Sequence, residues 1–440
     1  MATKGDLIEA QNFSRRRLLT AFVSGAPGGK ELEPTSPMRA VIAAIALTVL
    51  VVLVGVFYGF IRPGLPSGWE NGKLILVSDT GARFVTVDGV LHPVINTASA
   101  RLLLPSSDFS VLSTDQQNLE GTRIGDTLGI VGAPDELPAP DRLSNVGWSA
   151  CVADDGGLDV RIGAATPAPA DERAVVVESD GNLYVIDGDS SFAVADNSDA
   201  VLRAAGITSL DPVRVPAEWL NLFTPGTPLA PLAVEGAGTS IAGTDLPVGT
   251  VVHVTGTPDT ERLLVQADGD LAALPPLAWQ LSLLNSGSGE TVEVTNAQIA
   301  ALGTAPRPAG GADWPADGFQ SIAGDQRACA TLVAGEGQAV TALATQEAEL
   351  RVETGVHIEP GSGALVRAGG SGAQSTGIVT LVDATGRAYP LPGATDETVL
   401  RLGYTSADVG SVSDGWTALL STGPALSEAA AGLPPVAEAE

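Results

Sequence analysis

The sequence predicts a mainly β fold with short helices, an α+β chain in which one N-terminal transmembrane helix precedes four β-rich repeat modules around a central domain. Three observations predict it: a long uncharged apolar run near the start, a hairpin pattern that returns four times, and two cysteines placed between repeats.

Residues 1–39 form a basic tail. It holds Lys4, Arg15, Arg16, Arg17, Lys30 and Arg39 against Asp6, Glu9, Glu31 and Glu33, a net +2 in a chain of formal charge −28. The remainder therefore carries −30. A body this acidic repels phosphate, which argues against nucleic acid as a partner and against adhesion to anionic lipid headgroups. Within the tail, residues 7–23 place apolar side chains on helical tracks beside Arg15, Arg16 and Arg17, the candidate docking residues. Such a helix suits either rest on an anionic inner leaflet or contact with a cytoplasmic partner. Gly25-Ala26-Pro27-Gly28-Gly29 then breaks it.

Ala40 to Ile61 contains 22 residues without a charge. At ~1.5 Å per residue that is roughly 33 Å, enough for a bilayer core of about 30 Å. Arg39 and Arg62 bracket the run, and Tyr58 and Phe60 lie where interfacial aromatics belong. Basic residues are concentrated before the span, so the expected arrangement is a single-pass plasma-membrane protein with a cytoplasmic N-terminus and residues 62–440 outside. Ser14-Arg15-Arg16-Arg17-Leu18-Leu19 has the form of a twin-arginine export signal. No small-residue cleavage site follows the apolar run, however, and a retained anchor is the better reading.

Beyond the anchor, Leu74–Val87, Ala174–Ile186, Leu263–Leu274 and Ile378–Leu391 each read as an apolar strand, a turn and a second alternating strand. Their turn glycines are Gly81, Gly181, Gly269 and Gly386. A short helical stretch follows each hairpin. Two copies extend further in register: Trp219, Leu222, Gly226 and Leu229 match Trp416, Leu419, Gly423 and Leu426. In the first copy Gly125 and Leu128 hold the last two places. Matched positions in repeats favour core packing of Trp219 and Trp416 over ligand stacking.

The organisation expected is repeat module 1 with its linker at 62–118, central-domain segments at 119–173 and 301–375, module 2 at 174–230, module 3 at 231–300 and module 4 at 376–427. Residues 428–440, rich in Ala, Pro and Glu, read as a disordered tail. Gly- and Ser-rich residues 361–375 read as a surface loop. Cys151 lies between modules 1 and 2, and Cys329 between modules 3 and 4. On the oxidising side of a membrane the pair is most simply a disulfide, with two unpaired buried thiols as the alternative.

Several runs resemble one known family. They are Gln11–Leu19 (QNFSRRRLL), Tyr58-Gly-Phe-Ile-Arg62-Pro63-Gly64, Trp69, Leu91–Leu102 (LHPVINTASARL), Gly129–Pro134 (GIVGAP) and Trp148-x-x-Cys151. In order and number they resemble the EccB family of type VII (ESX) secretion systems; Phe13 departs from the Tyr often found there. The resemblance implies one anchor, four repeats around a central domain and a disulfide. It also implies assembly with an EccC-like motor ATPase, an EccD-like channel protein, EccE and a mycosin protease, while the four similar repeat modules themselves suit self-association into a homo-oligomer.

An ATPase role attributed to that family invites a search for a phosphate loop. Gly25–Lys30 (GAPGGK) and Gly68–Lys73 (GWENGK) come near the pattern but have the wrong spacing, and Glu31 and Leu74 stand where Ser or Thr is needed. His92, His253 and His357 have no metal-ligand spacing, and no nucleophile elbow occurs. Asp154-Asp155-Gly156-Gly157 reads as a solvated turn, with calcium as the sharper alternative. The expectation is no catalytic residue, no cofactor and no enzyme: a structural subunit of a secretion membrane complex. The alternatives are an extracytoplasmic ATP-hydrolysing enzyme or a cell-wall-binding anchor.

Overall fold

The computed structural model describes residues 3–24, 37–60, 65, 67–163, 166–196, 198–207, 212–285, 290–335, 339–347, 351–370 and 376–435. The chain divides into two compact units, 1–66 and 67–440. The first unit contains α1 (Lys4–Ser24) and α2 (Pro37–Phe60). Met38–Tyr58 is, among the described residues, the one helical stretch long and apolar enough to cross a membrane. The 24 residues of α2 span about 36 Å at ~1.5 Å per residue. This helix begins before the expected Ala40, because proline at Pro37 fixes φ for a first helical turn. Ile61 and the Gly25–Gly29 break lie outside the described residues.

The second unit opens with β1 (Lys73–Val77), β2 (Arg83–Val87), β3 (Val90–Pro93), α3 (Thr97–Leu103), β4 (Ser110–Thr114) and β5 (Arg123–Ile124). These form one sheet in the order β4-β1-β2-β3-β5. The first three strands run antiparallel, and β4 and β5 return parallel to β1 and β3. Helix α3 provides the crossover that a parallel return needs. It starts at Asn96, whose side-chain oxygen accepts from the Ser99 N–H at 2.9 Å, and it turns Ala98, Ser99, Ala100 and Leu102 inward.

After β6 (Trp148–Val152), β7 (Leu158–Ile162) and β8 (Ala168–Pro169), the same plan recurs. β9 (Ala174–Ser179), β10 (Asn182–Asp187), β11 (Ser190–Ala193), α4 (Ser198–Ala204), β12 (Val213–Arg214), α5 (Ala217–Leu220) and β13 (Thr224–Pro225) give the order β12-β9-β10-β11-β13. A shorter version follows in β14 (Val251–Val254), β15 (Arg262–Val265), β16 (Leu271–Leu274), α6 (Pro276–Ser282), β17 (Thr291–Val294) and α7 (Asn296–Ile299). Its order is β16-β15-β14-β17, and the outer return is reduced to a Leu271–Thr304 bridge.

β18 (Gln326–Ala334), β19 (Ala339–Glu347) and β20 (Gly355–Ile358) then join the earlier trio in a six-stranded central sheet, β20-β7-β6-β18-β19-β8. The last repeat sheet, β24-β21-β22-β23-β25, comes from β21 (Ala364–Gly369), β22 (Ile378–Val382), β23 (Arg387–Leu391), α8 (Asp396–Leu402), β24 (Gly410–Ser413), α9 (Asp414–Ala418) and β25 (Ser421–Thr422). α10 (Glu428–Ala431) ends the described elements.

Four expectations need correction. Gly81, Gly181, Gly269 and Gly386 all adopt the left-handed backbone their turns require, with φ of 72, 79, 89 and 78°. They do not, however, hold one repeat position. Gly81 and Gly181 turn β1–β2 and β9–β10, whereas Gly269 and Gly386 turn β15–β16 and β22–β23, the counterparts of β2–β3 and β10–β11. Strands β14 and β21 lead the third and fourth sheets ahead of the expected hairpins; β21 falls within the Gly-rich residues expected to form a surface loop, yet Ala364, Leu365 and Val366 are fully buried. The fourth sheet therefore starts at Ala364 rather than at 376. Residues 123–128 pair with the first sheet instead of the central one. Finally, the supposed tail is ordered through α10: Ser427 caps the helix, Ala431 is buried, and Gly129 N–H donates to the Leu433 carbonyl. Residues 436–440 lie outside the described residues.

Candidate functional site

The central sheet has two unlike faces, because alternate residues of a strand point opposite ways. On one face Trp148, Ala150 and Val152 of β6 join Val160 and Ile162 of β7 and Ala328, Ala330 and Leu332 of β18 in the largest hydrophobic cluster. Trp219 from α5 and Trp416 from α9 are fully buried in that cluster. Trp219 Nε1 donates to the Ala150 carbonyl at 2.9 Å, and Trp416 Nε1 donates to Thr341 Oγ1 at 2.9 Å. Trp416 also meets Trp148 edge to face, 6.1 Å between centroids. The matched tryptophans thus fasten the second and fourth repeat sheets to one central face.

Cys151 and Cys329 lie on the other face, directly opposite one another in the β6–β18 ladder, and form a disulfide. Both are buried, so the two central segments are joined covalently as well as by strand pairing. The thiol alternative is excluded.

The outer repeats attach through their helices. Ser106, beside α3, donates its N–H and hydroxyl to Glu397 of α8, at 3.0 and 2.8 Å. These bonds, with Arg401 beside it, hold the Glu397 carboxyl below the usual carboxylate range. Arg401 Nη1 donates to the Leu102 carbonyl at 2.8 Å and lies 3.1 Å from Glu428. Tyr404 donates to the Pro138 carbonyl at 2.8 Å, and burial pushes its phenol far up. On the second sheet, Val201, Leu202 and Ala205 around α4 pack with Leu277 and Leu281 of α6. First repeat to fourth and third to second, the outer sheets are welded to the pair that grips the centre.

One contact recurs inside three repeats. The third residue of the third strand carries a ring: His92, Phe192 and, in the fourth sheet, Tyr389. Each ring packs on a glycine of the last returning segment, so that a Cβ on Gly125, Gly226 or Gly423 would come within 2.5, 2.6 or 2.4 Å of it. His92 is accordingly a packing residue, its Nδ1 3.1 Å from the Asp126 carbonyl oxygen.

Residues that could do chemistry are dispersed. Among the described residues no three His, Cys, Asp or Glu side chains are grouped to hold a metal. His253 meets Thr257, and His357 lies 3.4 Å from Asp159, each in a different sheet. Lys73 opens a strand, not a helix, and its Nζ donates to the Asp108 carbonyl at 3.1 Å. Gly25–Lys30 lies outside the described residues. Asp154 is occupied by Arg327 and Asp155 by Thr354, so the turn has the hydrogen bonding of a structural loop. In the first unit, Arg15, Arg16 and Arg17 are exposed on α1, as are Leu18 and Phe22.

The family model described as "Type VII secretion system ESX-1, transport TM domain B" matches residues 1–435, which takes in both helices of the first unit and every sheet of the second. The chain belongs to the EccB family. This EccB-family chain is 28% identical over 270 residues to the ESX-3 secretion system ATPase EccB3 of Mycobacterium tuberculosis, covering 56% of this chain and 49% of that protein. It is 28% identical over 292 residues to the ESX-5 secretion system ATPase EccB5 of Mycobacterium marinum, covering 60% and 56% respectively. The chain spans about half the length of the curated relatives it matches. Its fold resembles a chain of an intact ESX-5 inner membrane complex with TM-score 0.65 at 22% identity, over 100% of this chain and 97% of that one. It also resembles the EccB3 dimer of the ESX-3 core complex, TM-score 0.64 at 23% identity, over 82% and 99%.

Sequence reading found the cysteine pair and the matched tryptophans. It missed the Ser106–Glu397–Arg401 seam, for which the only local signal was the helical spacing of Glu397 and Arg401.

Proposed function

We propose that this chain is a structural and assembly subunit of a type VII secretion membrane complex. The family match over residues 1–435 carries the reading, because it spans tail, anchor and repeats together. In this reading α2 crosses the plasma membrane with α1 in the cytoplasm and the repeats outside. α1 docks an EccC-like motor ATPase through Arg15, Arg16 and Arg17, and α2 packs beside an EccD-like channel protein and EccE. The repeat body meets a second copy of the chain and a mycosin protease. Energy comes from the motor, and this chain transmits or braces force.

The dispersed histidines and the strand setting of Lys73 support a non-enzymatic role. The second reading, ATP hydrolysis by this chain, is favoured by the name ATPase that its relatives carry. Charge reversal of Arg15, Arg16 and Arg17 to Glu in the tagged full-length protein tests docking. The expected result is loss of the motor ATPase from the purified complex with the anchor still in the membrane. Undiminished recovery of the motor would remove α1 from the interface. For the second reading, a saturable Mg·ATP melting shift abolished by Lys73→Ala would replace the assembly role with an enzymatic one.

A further inference from the structure

A cleft of about 520 Å³ opens between the central sheet, the second repeat and the start of α9. Ala339, Val340 and Thr341 of β19 form one wall, and Thr224 and Pro225 of β13 form another. β19 pairs with β18 along its whole length, but on its other side β8 pairs only at Ala344 and Thr345. Leu343, the next residue on that side, is still paired: its N–H donates to the Gly188 carbonyl and its carbonyl accepts from the Ala170 N–H.

Backbone groups in an antiparallel ladder alternate between the two neighbours. Since Leu343 turns its N–H and C=O away from β18, Ala339 and Thr341 turn theirs the same way. Leu332 opposite Thr341 agrees, because its carbonyl accepts from Gly147 on the far side. Among the described residues no backbone group pairs with Ala339 or Thr341 on that side, and the cleft wall is a strand edge. No proline or lysine blunts this edge, whereas the facing wall is blunted by Pro225 and Pro228.

The cleft has a sign as well as an edge. Asp189 and Asp414 are exposed at its rim, and among the described residues no Lys or Arg lines it. Tyr184 and Phe223 add aromatic surface. We infer that this cleft receives an extended, basic segment of a partner polypeptide, which adds as a short strand along residues 339–341 and sets its cationic side chains against Asp189 and Asp414. Extended segments that complete an open sheet draw affinity from the main chain and specificity from alternate side chains. At ~3.3 Å per residue the open edge accommodates about three or four residues.

The test uses the full-length chain in detergent and three acetylated hexapeptides: alternating lysine and valine, alternating glutamate and valine, and the lysine peptide with alternate amides N-methylated. Binding is read by amide exchange. The lysine peptide should bind saturably and slow exchange at Ala339 and Thr341. The Asp189→Asn, Asp414→Asn double variant should weaken it about tenfold. The glutamate and N-methylated peptides should not bind. Equal binding of the glutamate peptide overturns the charge assignment, equal binding of the N-methylated peptide overturns strand addition, and no slowing at Ala339 and Thr341 overturns the site.

Discussion

Trp219 and Trp416 stand at the same place in two repeats, yet their indole N–H groups reach different strands of one sheet, the Ala150 carbonyl of β6 and the Thr341 hydroxyl of β19. Two copies of one module have thus been fitted to a non-repeating centre by a single shared side chain. If both are keystones of that centre, each should be costly to remove. Trp219→Phe removes the indole donor from an Ala150 carbonyl that keeps its ladder partner in β18, and is expected to cost about 0.5–1.5 kcal/mol. Trp219→Ala or Trp416→Ala should cost about 3–5 kcal/mol. Urea unfolding of the full-length protein, followed by far-UV circular dichroism, measures both.

The disulfide closes a separation of 178 residues, for which loop entropy gives an upper figure of about 5 kcal/mol. Both sulfurs are buried, so the native protein should yield no thiol to a thiol reagent until denatured and reduced. Cys151→Ser with Cys329→Ser should lower the urea midpoint by an amount equivalent to roughly 2–5 kcal/mol while the ladder of β6 and β18 keeps the fold.

Acid should loosen the seam between the first and fourth repeats before the centre. The folded-state pKa of Glu397 is depressed by the Ser106 bonds and Arg401, so its contribution is complete above the unfolded value of about 4.3 and is lost as pH falls through the folded one. Glu397→Gln should therefore lower the melting temperature at pH 7, and the difference from the natural protein should begin to shrink below the unfolded value of about 4.3 and go on shrinking as pH falls through the depressed folded one. A difference that stays constant between pH 7 and pH 3 would remove the charge of Glu397 from the seam.

The ring-on-glycine contact gives a steric prediction. Gly226→Ala and Gly423→Ala place a methyl inside the contact distance of Phe192 and Tyr389, and each should destabilise by about 1–3 kcal/mol. Gly147→Ala, with open space but φ of 75°, should act only through backbone strain, at the ~1 kcal/mol scale. Melting of the three variants side by side separates crowding from strain.

Much of this was legible in the residues. Alternating β-branched runs such as Ala174–Ile186 announced their strands, and Trp219 and Trp416 announced their burial by recurring. The register of the repeats was not legible, because every copy has two consecutive hairpins and the stronger turn signal moves from the first in two copies to the second in the others. Gly269 and Gly386 therefore looked equivalent to Gly81 and Gly181. β21 was hidden by glycine-rich neighbours, and α10 by an Ala/Glu composition that could not reveal its packing against α3. The seam of Ser106 with Glu397 joins residues 291 apart in sequence, a distance over which no local pattern speaks.

The most direct measurement is native sizing with mass spectrometry of the tagged full-length protein, purified from its own membranes in mild detergent. The assembly role requires a megadalton-scale particle that contains a motor ATPase, a multispanning channel protein and more than one copy of this chain. A lone monomer or dimer, from membranes whose other large complexes survive the same detergent, would contradict it.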